Sequence, residues 1–189
     1  MVDLTRYYGA WVTPYAEAVQ ERIRRAADLS GSGMIWGYQG DTSSVDQQVK
    51  ALFQSLREAG ITYVNSVTDY GAAVSQATQR TRLPRESLAL KSASCIDGTV
   101  LMASLLEGAA LNPALVFVPG HAFVGWEKWE GTAQWQFLET TMLGRADATF
   151  EAACEAGQKQ HDGHAPCNRG QMKIHSLAQL RAQNIWPME

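Results

Sequence analysis

Apolar and polar positions alternate at two different periods along the chain, helical in the first half and strand-like after residue 112. Val19, Ile23, Ala26 and Ala27 recur at helical spacing, with Arg22, Arg24 and Arg25 mostly on other faces. Ahead of them, Thr13-Pro14 reads as an N-cap followed by proline at the first helical position. Ser30-Gly31-Ser32-Gly33 ends that helix. Val45, Val49, Leu52, Phe53 and Leu56 form the stripe of a second helix, opening at Ser43 or Ser44 and stopped by Gly60. Ile61-Thr62-Tyr63-Val64 has strand composition. A short helix is predicted over 71–80 and a loop around Leu83-Pro84.

The stretch from Cys95 to Ala109 is different in kind. Its only charges are Asp97 and Glu107, near its ends, while Val100, Leu101, Met102, Ala103, Leu105 and Leu106 point in nearly every direction. A helix that is apolar all round is a buried central helix. Ser94 is placed to cap it, and Asp97 stands three residues later, where a capping-box acid sits. Cys95 therefore falls in the first turn of a buried helix.

After Asn112-Pro113 the period shortens. Ala114 to Val118, His121 to Trp126 and Gln134 to Glu139 read as three consecutive strands, with Lys128 to Thr132 as a turn. Residues 149–160 read as a helix, 161–171 as a polar loop, and Ser176 to Gln183 as a last short helix. Helices followed by a strand meander give an α+β class. The whole chain, 1–189, reads as a single domain with a helical N-terminal portion (1–60), a core (80–145) and a helical C-terminal flank (149–189).

Composition narrows the function classes. The chain has 189 residues, 46% of them hydrophobic, which excludes a disordered chain. A net charge of −3 is too mild to recruit nucleic acid or an anionic membrane. No apolar run approaches the ~18 residues of a transmembrane span, and Met1 to Tyr8 lacks the basic start and apolar core of a signal peptide. Three cysteines, an odd number, argue for a reducing compartment. The expectation is a soluble cytoplasmic protein without nucleic-acid or membrane partners.

One group of residues carries chemistry together. A thiol at a helix N-terminus meets unpaired N–H groups and the positive end of the helix dipole, which favour thiolate. Such a nucleophile needs a base and a group to orient it. A hairpin centred on residue 130 sets His121 directly opposite Glu139, on one face, with Cβ atoms roughly 4.5–5.5 Å apart. The carboxylate then holds one ring nitrogen and leaves the other for the thiol. Taken singly, each residue has a plainer reading: a packed thiol, a turn histidine and a solvated edge charge. Their joint placement favours the catalytic one.

Three stretches in that order also resemble bacterial transglutaminase-like domains, within the papain-like cysteine-protease fold group. They are Leu83-Pro84 through Ser94-Cys95-Ile96-Asp97, Pro119-Gly120-His121-Ala122-Phe123-Val124-Gly125-Trp126, and Phe137-Leu138-Glu139-Thr140-Thr141. The resemblance spans about residues 80–145 and implies Cys95 as nucleophile, His121 as base and Glu139 as orienting acid. Two positions depart from the family pattern: Ser94 precedes the cysteine, and Glu139 takes the place of an aspartate. The implied activity is acyl transfer from a protein or peptide amide through a thioester, by a peptidase, amidase or deamidase without a cofactor. The alternative is a non-catalytic module of the same fold that binds a protein partner, as part of a larger multidomain or operon-encoded assembly.

A second cluster, Cys154, His161, His164 and Cys167, has zinc-ligand chemistry but the spacing Cys-x6-His-x2-His-x2-Cys, which is not a common finger pattern. Cys154 falls among Ala152, Ala153 and Ala156 on a helix, where packing accounts for it. No metal is expected there. Tyr7-Tyr8 with Trp11, and Trp126 with Trp129, read as core and rim rather than a ligand cage.

Overall fold

The computed structural model describes residues 4–65, 68–70, 77–164 and 172–189. A 3-10 helix, η1 (Thr5–Trp11), precedes α1 (Glu17–Leu29) and α2 (Thr42–Glu58). There follow β1 (Thr62–Tyr63), β2 (Thr68–Tyr70), β3 (Ala77–Gln79), α3 (Pro84–Leu90), β4 (Ser92–Ala93) and α4 (Cys95–Gly108). The second half runs β5 (Pro113–Val118), β6 (His121–Glu127), β7 (Trp135–Leu138), η2 (Thr140–Met142), α5 (Phe150–His164), β8 (Lys173–Ser176) and α6 (Leu177–Ala182). The class is α+β, built on an antiparallel sheet of order β7-β6-β5-β8. Among the described residues no helix is long and apolar enough to cross a membrane.

The central helix is α4. Val100, Leu101, Met102, Ala103, Leu105 and Leu106 are all fully buried, as a helix without charge between its two ends and surrounded on every side requires. Leu115, Val124 and Leu138 line up across β5, β6 and β7 and share its core. Val116, Val118, Phe123 and Phe137 alternate to the other face and form a smaller cluster.

Several boundaries differ from expectation. α1 begins at Glu17, with no side-chain cap, rather than at Thr13-Pro14. The Thr13 N–H instead donates to Ser104 Oγ on α4 (3.0 Å) and the Pro14 carbonyl accepts from Gln20 (2.6 Å), so this segment is a turn pinned to the core. α2 is capped by Asp41, one residue before Thr42, in a reciprocal box with Ser44. The helix expected over 71–80 is absent at 77–79, which pair antiparallel with 68–70; residues 71–76 lie outside the described residues. The loop at Leu83-Pro84 is a helix start: Pro84, preset for helical φ, opens α3, and Glu86 accepts the Leu83 N–H at 2.9 Å.

The hairpin between β6 and β7 has a different register. Val124 pairs with Leu138 and Glu127 with Trp135, so the loop is 129–133 and its centre is Gly131 rather than residue 130. The Glu127 carboxylate grips the Ala133 N–H (2.7 Å), and Ala133 and Gly131 both take positive φ, which accommodates the longer loop. β7 ends at Leu138, not at Glu139. β8, unforeseen, adds an edge strand against β5, and α5 continues to His164 through what read as a polar loop.

Candidate active site

Ser94 caps α4 as expected. Its Oγ accepts the Asp97 N–H at 3.3 Å, and Asp97 Oδ2 accepts the Ser94 N–H at 3.1 Å. Asp97 Oδ1 also accepts the Arg82 N–H (2.8 Å), tying the helix start to the chain before α3. Cys95 is thus held at the first helical position, half-buried. The first N–H groups of a helix have no intrahelical carbonyl to meet. At this end they belong to Cys95 and Ile96.

His121 opens β6 directly after the Pro119-Gly120 turn. Proline presets the first turn residue and Gly120 supplies the positive φ (+73°) of the second, as a type II turn requires. Glu139 follows β7 as the cap of η2. Its position depends on Gly98 in the first turn of α4: a Cβ there would lie 2.8 Å from Thr140 Oγ1. The missing side chain lets η2 settle against α4 and brings Glu139 beside the cysteine's helix.

The three predicted residues come together. His121 Nε2 lies 2.6 Å from Glu139 Oε2. The other carboxylate oxygen accepts from Thr141 N–H (3.1 Å) and Thr141 Oγ1 (2.9 Å), which fixes its rotation. Cys95 and the imidazole line one cleft. With Nε2 occupied by Glu139, Nδ1 is the nitrogen left for the thiol. Hydrogen bonds from the ring to Cys95 and to Glu139, against the opposing effect of burial, push the His121 pKa up to about 10. The imidazolium is therefore the resting form at neutral pH. Cys154 is the counterexample: burial, then the charges of Asp46 and Glu151, push its thiol up to about 12.

Three further residues at this site were not singled out for it from sequence. Tyr63 lies near enough to feel the charges of Cys95 and Glu139 because β1 pairs in parallel with β4, just ahead of the cysteine. Burial, then the charges of Cys95 and Glu139, raise its hydroxyl pKa. Thr5 and Tyr8 of η1 wall an open cleft of about 260 Å³ over Cys95 and His121, opposite Phe117 and Val118. The sequence pattern puts Tyr8 in the core or at its rim. It packs on Phe117 (5.4 Å) and also faces the cleft.

The second cluster has separate partners. The His161 ring stacks on Phe137 at 4.3 Å and its Nδ1 bonds Asp162; His164 Nδ1 donates to the Gln160 carbonyl. Cys154 packs against the core, and Cys167 lies outside the described residues. Among the described residues no group of three or more His, Cys, Asp or Glu side chains gathers to hold a metal. Compared with known proteins, the chain matches no family model, no curated protein and no solved structure.

Proposed function

We propose that this chain is a cysteine-dependent acyl-transfer enzyme that hydrolyses amide bonds in a protein or peptide, on a papain-like, transglutaminase-like arrangement. One observation carries the reading: the Cys95 thiol, at a capped helix N-terminus, shares one cleft with an imidazole that is bonded to the Glu139 carboxylate.

In the reaction, Cys95 Sγ as thiolate forms a bond to the amide carbonyl carbon, and the carbonyl electron pair moves onto oxygen. The Cys95 and Ile96 N–H groups are placed to receive that oxyanion. His121 then gives its Nδ1 proton to the amine nitrogen as the C–N bond breaks, leaving a thioester on Cys95 and a free amine. Water, losing a proton to His121, attacks the thioester, and the thiolate leaves. Glu139 keeps the ring in place and stabilises its charged form throughout. Water rather than an amine is taken as acceptor because water is always present.

The test is covalent labelling at pH 7 with iodoacetamide, mapped by mass spectrometry. Cys95 is expected to label faster than Cys154, and His121→Ala to slow Cys95 alone. Equal rates at the two cysteines, or no effect of His121→Ala, would overturn the enzyme and leave a partner-binding module.

A further inference from the structure

The cleft over Cys95 does not end at the thiol. In a 3-10 helix, side chains three apart stack in line. Along η1, Thr5, Tyr8 and Trp11 make one such ridge and Leu4 and Tyr7 the next. Thr5 and Tyr8 wall the Cys95 cleft. Tyr8 and Trp11, with Leu4, Tyr7 and Thr81, line a second cavity of about 350 Å³. Tyr8 is the shared wall.

Among the described residues none of the side chains lining this second cavity is charged, and the Arg6 guanidinium lies over the Tyr7 ring, 5.5 Å from its centroid. Trp11 spends its indole N–H on the Thr81 carbonyl (3.3 Å), which closes one side and presents an apolar ring. The wall is also fixed in place. His175 of β8 is 2.8 Å from Thr5 Oγ1, and Arg181 of α6 donates to the carbonyls of Gly9 (2.9 Å) and Val12 (3.0 Å). Arg181 is itself held by Glu107 at the end of α4. η1 is therefore braced from the same helix that presents Cys95.

We propose that the aromatic cavity of η1 is the specificity pocket of this enzyme, taking a bulky, uncharged apolar side chain of the substrate next to the amide attacked by Cys95. The proposal rests on the cysteine-hydrolase reading. An aromatic pocket that shares a wall with the nucleophile's cleft selects by apolar burial, and it rejects an ammonium group, which would lose its hydration there and meet the Arg6 guanidinium over the Tyr7 ring.

The experiment compares alkylation of Cys95 by N-acetyl-Gly-Gly, N-acetyl-Phe-Gly and N-acetyl-Gly-Phe chloromethyl ketones, with iodoacetamide as the reagent too small to use the pocket. One phenylalanine probe is expected to outrun the glycine probe by about 10–200-fold, the range for apolar-pocket discrimination. Leu4→Asp and Tyr7→Ala change side chains that are 64% and 49% exposed, so the fold does not depend on them. Both should bring that ratio near one and leave iodoacetamide labelling unchanged. A ratio near one in the unmutated protein, with fast iodoacetamide labelling, overturns the pocket and spares the chemistry. Should iodoacetamide label Cys95 no faster than Cys154, the chemistry fails. The pocket is then judged by N-acetylphenylalaninamide binding to the Cys95→Ser chain. A shift of the Trp11 indole N–H resonance supports it and no shift overturns it.

Discussion

Glu139 meets His121 diagonally. The last pair of the β6–β7 ladder is Val124 with Leu138, so Glu139 lies one step further on, two residues along from a position opposite His121, yet its Oε2 is 2.6 Å from His121 Nε2. The longer glutamate side chain spans what a directly opposed residue would not need to. Glu139 is 5% exposed and its carboxylate is anchored on Thr141, so it is a fixed acceptor for the ring rather than a loose surface charge.

Replacing that carboxylate tests its role as orienting group. Glu139→Gln keeps the shape but removes the charge, and one amide end must now face either His121 or Thr141 with a donor. Cys95 alkylation by iodoacetamide at pH 7 is expected to slow, by less than the about 10²–10⁴-fold that a general base contributes. His121→Ala should slow it more, and the double variant should be no slower than His121→Ala alone, because the residues act as one unit. Additive losses would separate Glu139 from the site.

The register explains how much of this pairing was legible beforehand. The expected hairpin was centred one residue early, which slides β7 by two residues relative to β6. An even slide keeps every side chain on its face, whereas an odd one would have sent Glu139 to the opposite side. The Ser94–Asp97 box and the burial of α4 depend only on residues within one helix, and both were readable. Tyr63 and Tyr8 were not: one reaches the site through the parallel β1–β4 pair, the other through docking of η1 onto Phe117, and neither contact leaves a local pattern. Nor did β8, whose four residues, Lys173 to Ser176, carry one apolar side chain, too little to mark an edge strand.

Protonation of His121 has a definite pH window. Its folded-state pKa, about 10, lies above the ordinary 6.5, so the charged ring stabilises the fold. That contribution is complete below about 6.5, declines as pH rises and is gone above about 10. The His121 C2–H resonance should titrate near the upper value, and Cys95→Ala or Glu139→Gln should each lower it. The stability gap between the unmutated chain and His121→Ala should narrow from pH 6 to pH 10. A midpoint near 6.5 would mean that the ring is not held between two acceptors.

Leu105 tests the frame on which Cys95 stands. It is fully buried in α4, at the middle of the main core. Leu105→Ala removes buried methyl groups and leaves a cavity, at a cost of about 2–5 kcal/mol. Urea unfolding should show it as a lower midpoint with an unchanged slope. An unchanged midpoint would place the helix at the periphery.

Gly98 links the helix to the site, and the sign of its substitution decides the matter. In a helix with free space, Gly→Ala is favourable by about 0.8–1.0 kcal/mol. Here the added Cβ would lie 2.8 Å from Thr140 Oγ1 and 3.1 Å from Thr140 Cβ, with Glu139 immediately before that threonine. Overpacking of this kind costs typically about 1–3 kcal/mol and exceeds the propensity gain. Gly98→Ala is therefore expected to lower the urea midpoint and to push η2 away from α4, taking the Glu139 carboxylate off His121. The second effect has its own readout: the His121 titration should fall from about 10 toward 6.5, which loss of stability alone would not produce. Gly98→Ala with a raised midpoint and an unmoved His121 titration would show that η2 does not need this close approach to hold Glu139 in place.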